Sequence, residues 1–261
     1  IALLFSLMAV VSGFTSMGVM EGFAKVIINK VNSTRFLVAV LWSICFFTSM
    51  IITNDVALIT FVPVAVTVLT LCNKKELIIY TVVLQTIAAN MGSMLTPMGN
   101  PQNLYIYARF NVGIGEFFSI TLPVILISFL LLVLSTFFVK NERISIKITK
   151  VSIKGDKFLI ALYTFLAVIS LLAVLRLIDY KVALIIIVII ILILRVDWFL
   201  LLTFCAFFVF VGNMERIELI NGFVKNLVEG KEFFVSLCAS QVISNVPAAV
   251  MLSGFTDNYR A

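Results

Sequence analysis

The sequence predicts an all-α polytopic membrane protein made of inverted repeats, with re-entrant hairpins and a broken helix. Three observations carry that prediction: an apolar composition, unbroken apolar runs of membrane-spanning length, and a short polar motif that occurs twice. Hydrophobic residues make up 62% of the 261 residues and charged residues 12%, where soluble domains hold roughly 45–50% apolar residues. The runs 117–139 and 157–175 are the cleanest, and they match the roughly 20 residues that a helix needs to cross ~30 Å of hydrocarbon. A transmembrane barrel would alternate apolar and polar residues instead, so helices are expected.

Crossings are predicted at about 1–20, 76–95, 117–139, 157–175, 182–194 and 198–212, with 36–72 and 232–261 set aside as hairpins. If 36–72 enters and leaves on one side, one face of the membrane receives 12 of the 19 Lys and Arg residues. That face is then cytoplasmic, because basic residues are retained there. The net charge of +6 concerns topology, with the lysine-rich link 140–156 lying against anionic headgroups, and it is no sign of nucleic-acid binding. Asp179 and Asp197 stand at span ends beside Lys181 and Arg195 and read as interfacial anchors.

Several chemistries are excluded by what is missing. The sequence has no His, which removes histidine-bearing zinc motifs, Ser-His catalysis and His proton relays. Cys45, Cys72, Cys205 and Cys238 lie in apolar runs without a CxxC pair and read as small core residues. Asp55 is the single carboxylate in a plausible buried site, so neither an aspartyl dyad nor a metal triad can be assembled. The protein is expected not to be an enzyme, and to need no cofactor. The chain opens inside an apolar run without Met and stops soon after a motif begins, so truncation at both ends is expected.

The repeat pairs "SMIITNDVAL" at 49–58 with "SQVISNVPAA" at 240–249, which sets Thr53 against Ser244 and Asn54 against Asn245. A second pair, "GFAK" at 22–25 and "GFVK" at 222–225, lies upstream in the same order, in stretches suited to the interface. Five predicted crossings separate Asn54 from Asn245, so the second copy enters from the opposite face. This is the inverted-repeat layout of secondary transporters. The first repeat is placed at 1–139, with its hairpin at 36–72 and a broken helix at 76–116. The second, incomplete, is placed at 157–261, with a hairpin from 232.

A third polar stretch, "TPMGNPQN" at 96–103, interrupts the helix that starts at 76. Pro97 and Pro101 each remove a backbone donor and Gly99 relaxes the chain. Carbonyls freed by such a break, with Thr96, Asn100 and Asn103, are hard oxygen ligands suited to a small cation. An external loop is the alternative for this stretch taken alone. For the hairpin, the alternative is two full spans joined by a tight polar turn that leaves Asp55 in water. Against it, no Lys, Arg, Glu, Gly or Ser neighbours Asp55, and an acid in hydrocarbon is a functional candidate.

"ITNDVALITFVP", "TPMGNPQNLYIY" and "SNVPAAVML", in this order, resemble the ion transporter superfamily that holds divalent anion:sodium symporters, citrate transporters and arsenite permeases. The resemblance covers nearly the whole chain. It implies two inverted repeats, each with a re-entrant hairpin and a following unwound helix. It further implies a transport domain that moves against a scaffold, and a homodimer in the membrane of a prokaryotic cell. Substrate would be bound by Thr53, Asn54, Asn103, Ser244 and Asn245. The coupling cation would be bound by Asn54, Asp55, Thr96, Gly99, Asn100 and Asn245, with Na+ at Asn54, Asp55 and Asn100. Asp55, Val246 and Pro247 depart from the dicarboxylate branch, and "TND" is closer to the arsenite permeases.

The expected function is secondary transport of a small anion, a di- or tricarboxylate or similar oxyanion, coupled to Na+ or H+. No Lys or Arg lies in the three motifs, so hydroxyls, amides and helix N-termini would hold the anion and a bound cation would supply the compensating charge. Metalloid efflux is one alternative. An aquaporin-like channel is another, echoed by "NPQ" at 100–102 and "NVPA" at 245–248, although the repeat pairs Asn54 rather than Asn100 with Asn245.

Overall fold

Apolar runs punctuated by Pro, Asn and Gly become helices that end where those residues stand. The computed structural model describes residues 31–144, 156–191, 226–243 and 245–256, with single positions between 10 and 28 and between 202 and 224. Helix α1 (Thr34–Ile52) begins at Ser33, whose hydroxyl accepts the Phe36 N–H and so caps the first turn. Helix α2 (Asn54–Leu71) returns at once, and a single 3-10 turn (Lys75–Leu77) leads into α3 (Ile78–Ser93). After a seven-residue break come α4 (Pro101–Arg109) and α5 (Ile114–Thr136). Helices α6 (Lys157–Val174) and α7 (Tyr180–Ile191) follow, then α8 (Glu232–Ile243) and α9 (Asn245–Leu252).

Among the described residues there are no β-strands, and α1, α2, α5 and α6 are each long and apolar enough to cross a membrane. The protein is an all-α polytopic membrane protein. The expected crossings at 117–139, 157–175 and 182–194 fall within about a turn of α5, α6 and α7. The expected crossings 1–20 and 198–212 lie largely outside the described residues, as do Cys205, Asp197 and most of the link 140–156.

The core is the three-helix unit of α1, α2 and α3, closed on one side by α5. Helices α1 and α3 run parallel and touch backbone to backbone at Gly92. A Cβ there would stand 2.1 Å from the Phe46 carbonyl oxygen and 2.8 Å from the Ser49 hydroxyl, so only glycine admits this approach. Gln85, fully buried, spans all three helices through its side-chain amide, which donates to the carbonyls of Leu41 and Phe61 at 3.3 Å each. On the α5 side, the Trp42 indole N–H donates to the Thr136 hydroxyl at 3.1 Å, and its ring meets Phe129 edge-on at 5.5 Å.

Two polar clusters stand near opposite ends of α5. At the first, Thr34 N–H donates to the Glu142 carbonyl at 2.9 Å, and the Lys74 ammonium pairs with the Glu142 carboxylate. At the second, the Arg176 guanidinium donates to the Tyr107 carbonyl at 3.1 Å and lies 4.4 Å over the Tyr107 ring. Asp179 caps α7 by accepting the Lys181 N–H at 2.8 Å. Cys45 is buried as expected, whereas Cys238 is exposed on α8.

Candidate functional site

The reversal from α1 to α2 takes a single residue. Thr53 has φ 73° and ψ 153°, a conformation that is essentially glycine's and that costs a β-branched residue on the order of 1–3 kcal/mol. Such strain persists only where neighbours over-determine it. Here the Thr96 hydroxyl donates to the Met50 carbonyl in the last turn of α1. On the other arm, the Asn54 amide donates to the Asn90 side-chain oxygen at 3.1 Å. The turn is therefore pinned from both sides to the end of α3.

Directly beside it, α3 stops at Ser93 and the chain stays irregular until Pro101 opens α4 at a position where its missing N–H is no loss. The break folds back on itself. The Asn103 amide donates to the carbonyls of Ser93 and Thr96 at 3.0 and 3.1 Å, and the Asn100 amide donates to the Ser93 hydroxyl at 2.5 Å. Gly99 is required, because a Cβ there would stand 2.2 Å from the Ser93 carbonyl oxygen. Ser93 is fully buried and Asn100 is 3% exposed, so the stretch packs into the protein at both ends of the break.

One atom in this cluster has no protein partner. The Asn100 side-chain oxygen is buried and accepts no hydrogen bond among the described residues. A buried acceptor without a donor is unfavourable, and among the described residues the side-chain oxygens of Thr60, Thr81, Gln85 and Ser170 share the feature outside this cluster. A small cation, which prefers neutral and anionic oxygens, would satisfy the Asn100 oxygen, so the residues present fit a coupling ion.

The level of the tip along α5 follows from its neighbours. Phe47 of α1 meets Phe129 of α5 at a ring separation of 6.0 Å, with the two helices antiparallel. Ile52 lies five residues beyond Phe47, whereas α5 continues from the same level about ten residues further, roughly 15 Å. Helix α4 reaches that part of α5, its Tyr107 ring meeting Phe117 near the start of α5 at 6.1 Å.

With that geometry in hand, residues 1–257 match CitMHS, the citrate transporter family. The chain belongs to the citrate transporter family. It is 30% identical over 263 residues to Uncharacterized transporter MJ0456 of Methanocaldococcus jannaschii, covering 98% of this chain and 71% of that protein. It is 28% identical over 260 residues to Inner membrane protein YbiR of Escherichia coli, covering 95% of this chain and 69% of that protein. This citrate transporter family member is an integral, multi-pass membrane transporter.

Within the transporter, Asn54, Thr96, Gly99, Asn100 and Asn103 are joined in one hydrogen-bonded cluster through Asn90 and Ser93, and Thr53 adjoins it only as the chain neighbour of Asn54. Asp55, in the first turn of α2, is exposed, and none of the described hydrogen bonds joins it to that cluster. Asn245 opens α9 and is likewise exposed and unconnected to it, while Ser244 lies outside the described residues. The two hairpins nevertheless correspond: α1 ends at Ile52 and α2 opens at Asn54, just as α8 ends at Ile243 and α9 opens at Asn245. The α8–α9 pair meets α4, where the hydroxyls of Tyr105 and Ser253 hydrogen-bond at 2.8 Å.

Sequence reasoning missed Asn90 and Ser93, which this transporter uses to join tip to break. Both sit in "AANMGS" at 88–93, at the end of a run read simply as apolar. Two polar residues three apart on one helix face, just before a Pro-Gly break, were the available signal.

Proposed function

We propose that the chain is the greater part of a secondary active transporter for a small anion, a di- or tricarboxylate or similar oxyanion, coupled to Na+ or H+. One observation supports this best: a strained hairpin tip is pinned to an interior helix break whose Asn100 oxygen is buried without a donor. The tip stops about 15 Å short of the end of α5, which favours a re-entrant hairpin over two full spans, although α1 and α2 are each long enough to cross.

The mechanism follows from charge. The cluster contains no Lys or Arg, so an anion would meet only amides, hydroxyls and the N-termini of α2, α4 and α9. A cation seated at Asn100, with Asn54, Thr96 and the carbonyl at Gly99, would create the positive potential the anion needs, and coupling follows. Asp55 stands one residue past the pinned Asn54, where it would add a carboxylate ligand or carry the proton. Alternating access would then be of the elevator type, with the tightly packed α1, α2 and α3 moving as one body. The carrier would work as a homodimer.

Metalloid efflux is the second reading, favoured by the acid of "TND" at 53–55. The deciding experiment is a substrate-panel flux assay with full-length protein in liposomes, with and without Na+ and pH gradients. Saturable carboxylate flux driven by either gradient is expected. Efflux of arsenite alone would favour the second reading, and non-saturable flux without ion coupling would overturn both.

A further inference from the structure

Two cavities on the outer side of α1 meet end to end. The first, about 270 Å3, lies between the start of α1 and the end of α5, against Arg35, Trp42, Val133, Thr136 and Phe137. The second, about 250 Å3, continues along α1 past Ser43 and Phe47 to Thr48. Phe36 and Ala39 line both, so the two form one apolar groove. From Arg35 to Thr48 the groove follows α1 for about 20 Å, whereas one leaflet of a ~30 Å hydrocarbon core is roughly 15 Å deep. Phe36, Phe47 and Phe137 stand exposed along its edges, as side chains do where lipid is the solvent.

The groove is charged only at one end. There the Arg35 guanidinium donates to the carbonyls of Val139 and Phe137 at 3.1 and 3.3 Å and lies 5.4 Å over the Phe137 ring. These bonds use two of its five N–H donors. Lys140 and Arg143 are exposed close by, and the one carboxylate of this segment, Glu142, is held by Lys74. The mouth is therefore basic, at the membrane depth where helix α1 begins.

We propose that this groove binds a single anionic phospholipid, with its phosphate at Arg35 and one acyl chain along α1. A purely apolar groove would take any chain; the cation at its mouth selects an anionic headgroup. A lipid seated there bridges the hairpin arm α1 to α5, the helix that closes the core beside it.

The test uses full-length protein exchanged into nanodiscs of phosphatidylcholine with increasing phosphatidylglycerol, read by native mass spectrometry of retained lipid. A photoreactive residue at position 39 is read in parallel. Wild type should retain phosphatidylglycerol about fivefold more strongly than phosphatidylcholine, the weight of one basic residue near an anionic surface. Arg35→Gln should bring that ratio near one, Ala39→Phe should reduce retention of both lipids, and the photoreactive residue should capture lipid. Equal retention by wild type, or an unchanged ratio in Arg35→Gln, overturns the proposal. Capture of another protein segment or a second copy from position 39 does so as well, and it decides the matter should Arg35→Gln fail to fold.

Discussion

The Asn54 side-chain amide donates to the Asn90 side-chain oxygen at 3.1 Å, tying the first residue of the return arm α2 to α3 one turn before that helix breaks. The bond joins two parts of the proposed ion site that are 36 residues apart. Asn90→Leu should therefore raise the cation concentration for half-maximal flux at least tenfold. Unchanged cation dependence in a flux assay would show that the bond is only packing.

Thr53 occupies glycine's conformation without being glycine. Thr53→Gly removes backbone strain of about 1–3 kcal/mol and loosens the unfolded chain by roughly 1 kcal/mol, so stability should hold or rise. Flux should fall, because the tip loses its fixed geometry and its hydroxyl. Thermal unfolding and flux, measured on the same preparation, should move apart.

Asn100 offers a buried oxygen without a donor. If a cation normally satisfies it, Asn100→Leu abolishes the stabilisation that Na+ or protons confer on the purified protein. If nothing binds there, the same substitution removes an unsatisfied polar atom and leaves ion-dependent unfolding as in wild type. A melting series across Na+ concentration and pH separates the two outcomes.

Gly92→Ala should be among the most disruptive alanine substitutions at the described glycines, since the new Cβ would meet the Phe46 carbonyl at 2.1 Å, and backbone cannot rotate away. A loss of about 2 kcal/mol or more is expected, seen as a lower melting temperature by detergent-phase size exclusion. Gly115→Ala, inside the first turn of α5 where a Cβ meets nothing within 4 Å, should be neutral or slightly stabilising.

The Lys74–Glu142 pair is exposed, so its contribution is small and falls with salt. Hydrogen bonding to Lys74 holds the Glu142 carboxyl below its ordinary value of 4.5, and the same bond to Glu142 raises the Lys74 ammonium above 10.5. The stabilisation is thus fully present between those values. It fades as pH falls through the lowered Glu142 range or rises through the raised Lys74 range. Glu142→Gln should lower the melting temperature slightly at pH 7 and low salt, and not at all once wild-type Glu142 is protonated.

What the sequence determined by itself was whatever rests on local composition and order. Apolar runs marked the helices, since hydrocarbon leaves a helix little choice but to satisfy its own backbone. Pro97, Gly99 and Pro101 marked the break, and the paired asparagines Asn54 and Asn245 marked where two helices open. Tertiary structure alone decided which polar groups meet. It placed Asn90 and Ser93 in the cluster and left Asp55 and Asn245 outside its hydrogen bonds. It also aligned α1 with α5 so that the tip stops partway along. Hydrophobic periodicity reports how much of a helix is buried, but a single hydrogen bond between side chains 36 residues apart depends on the rotation and depth of both helices, which only their packing sets.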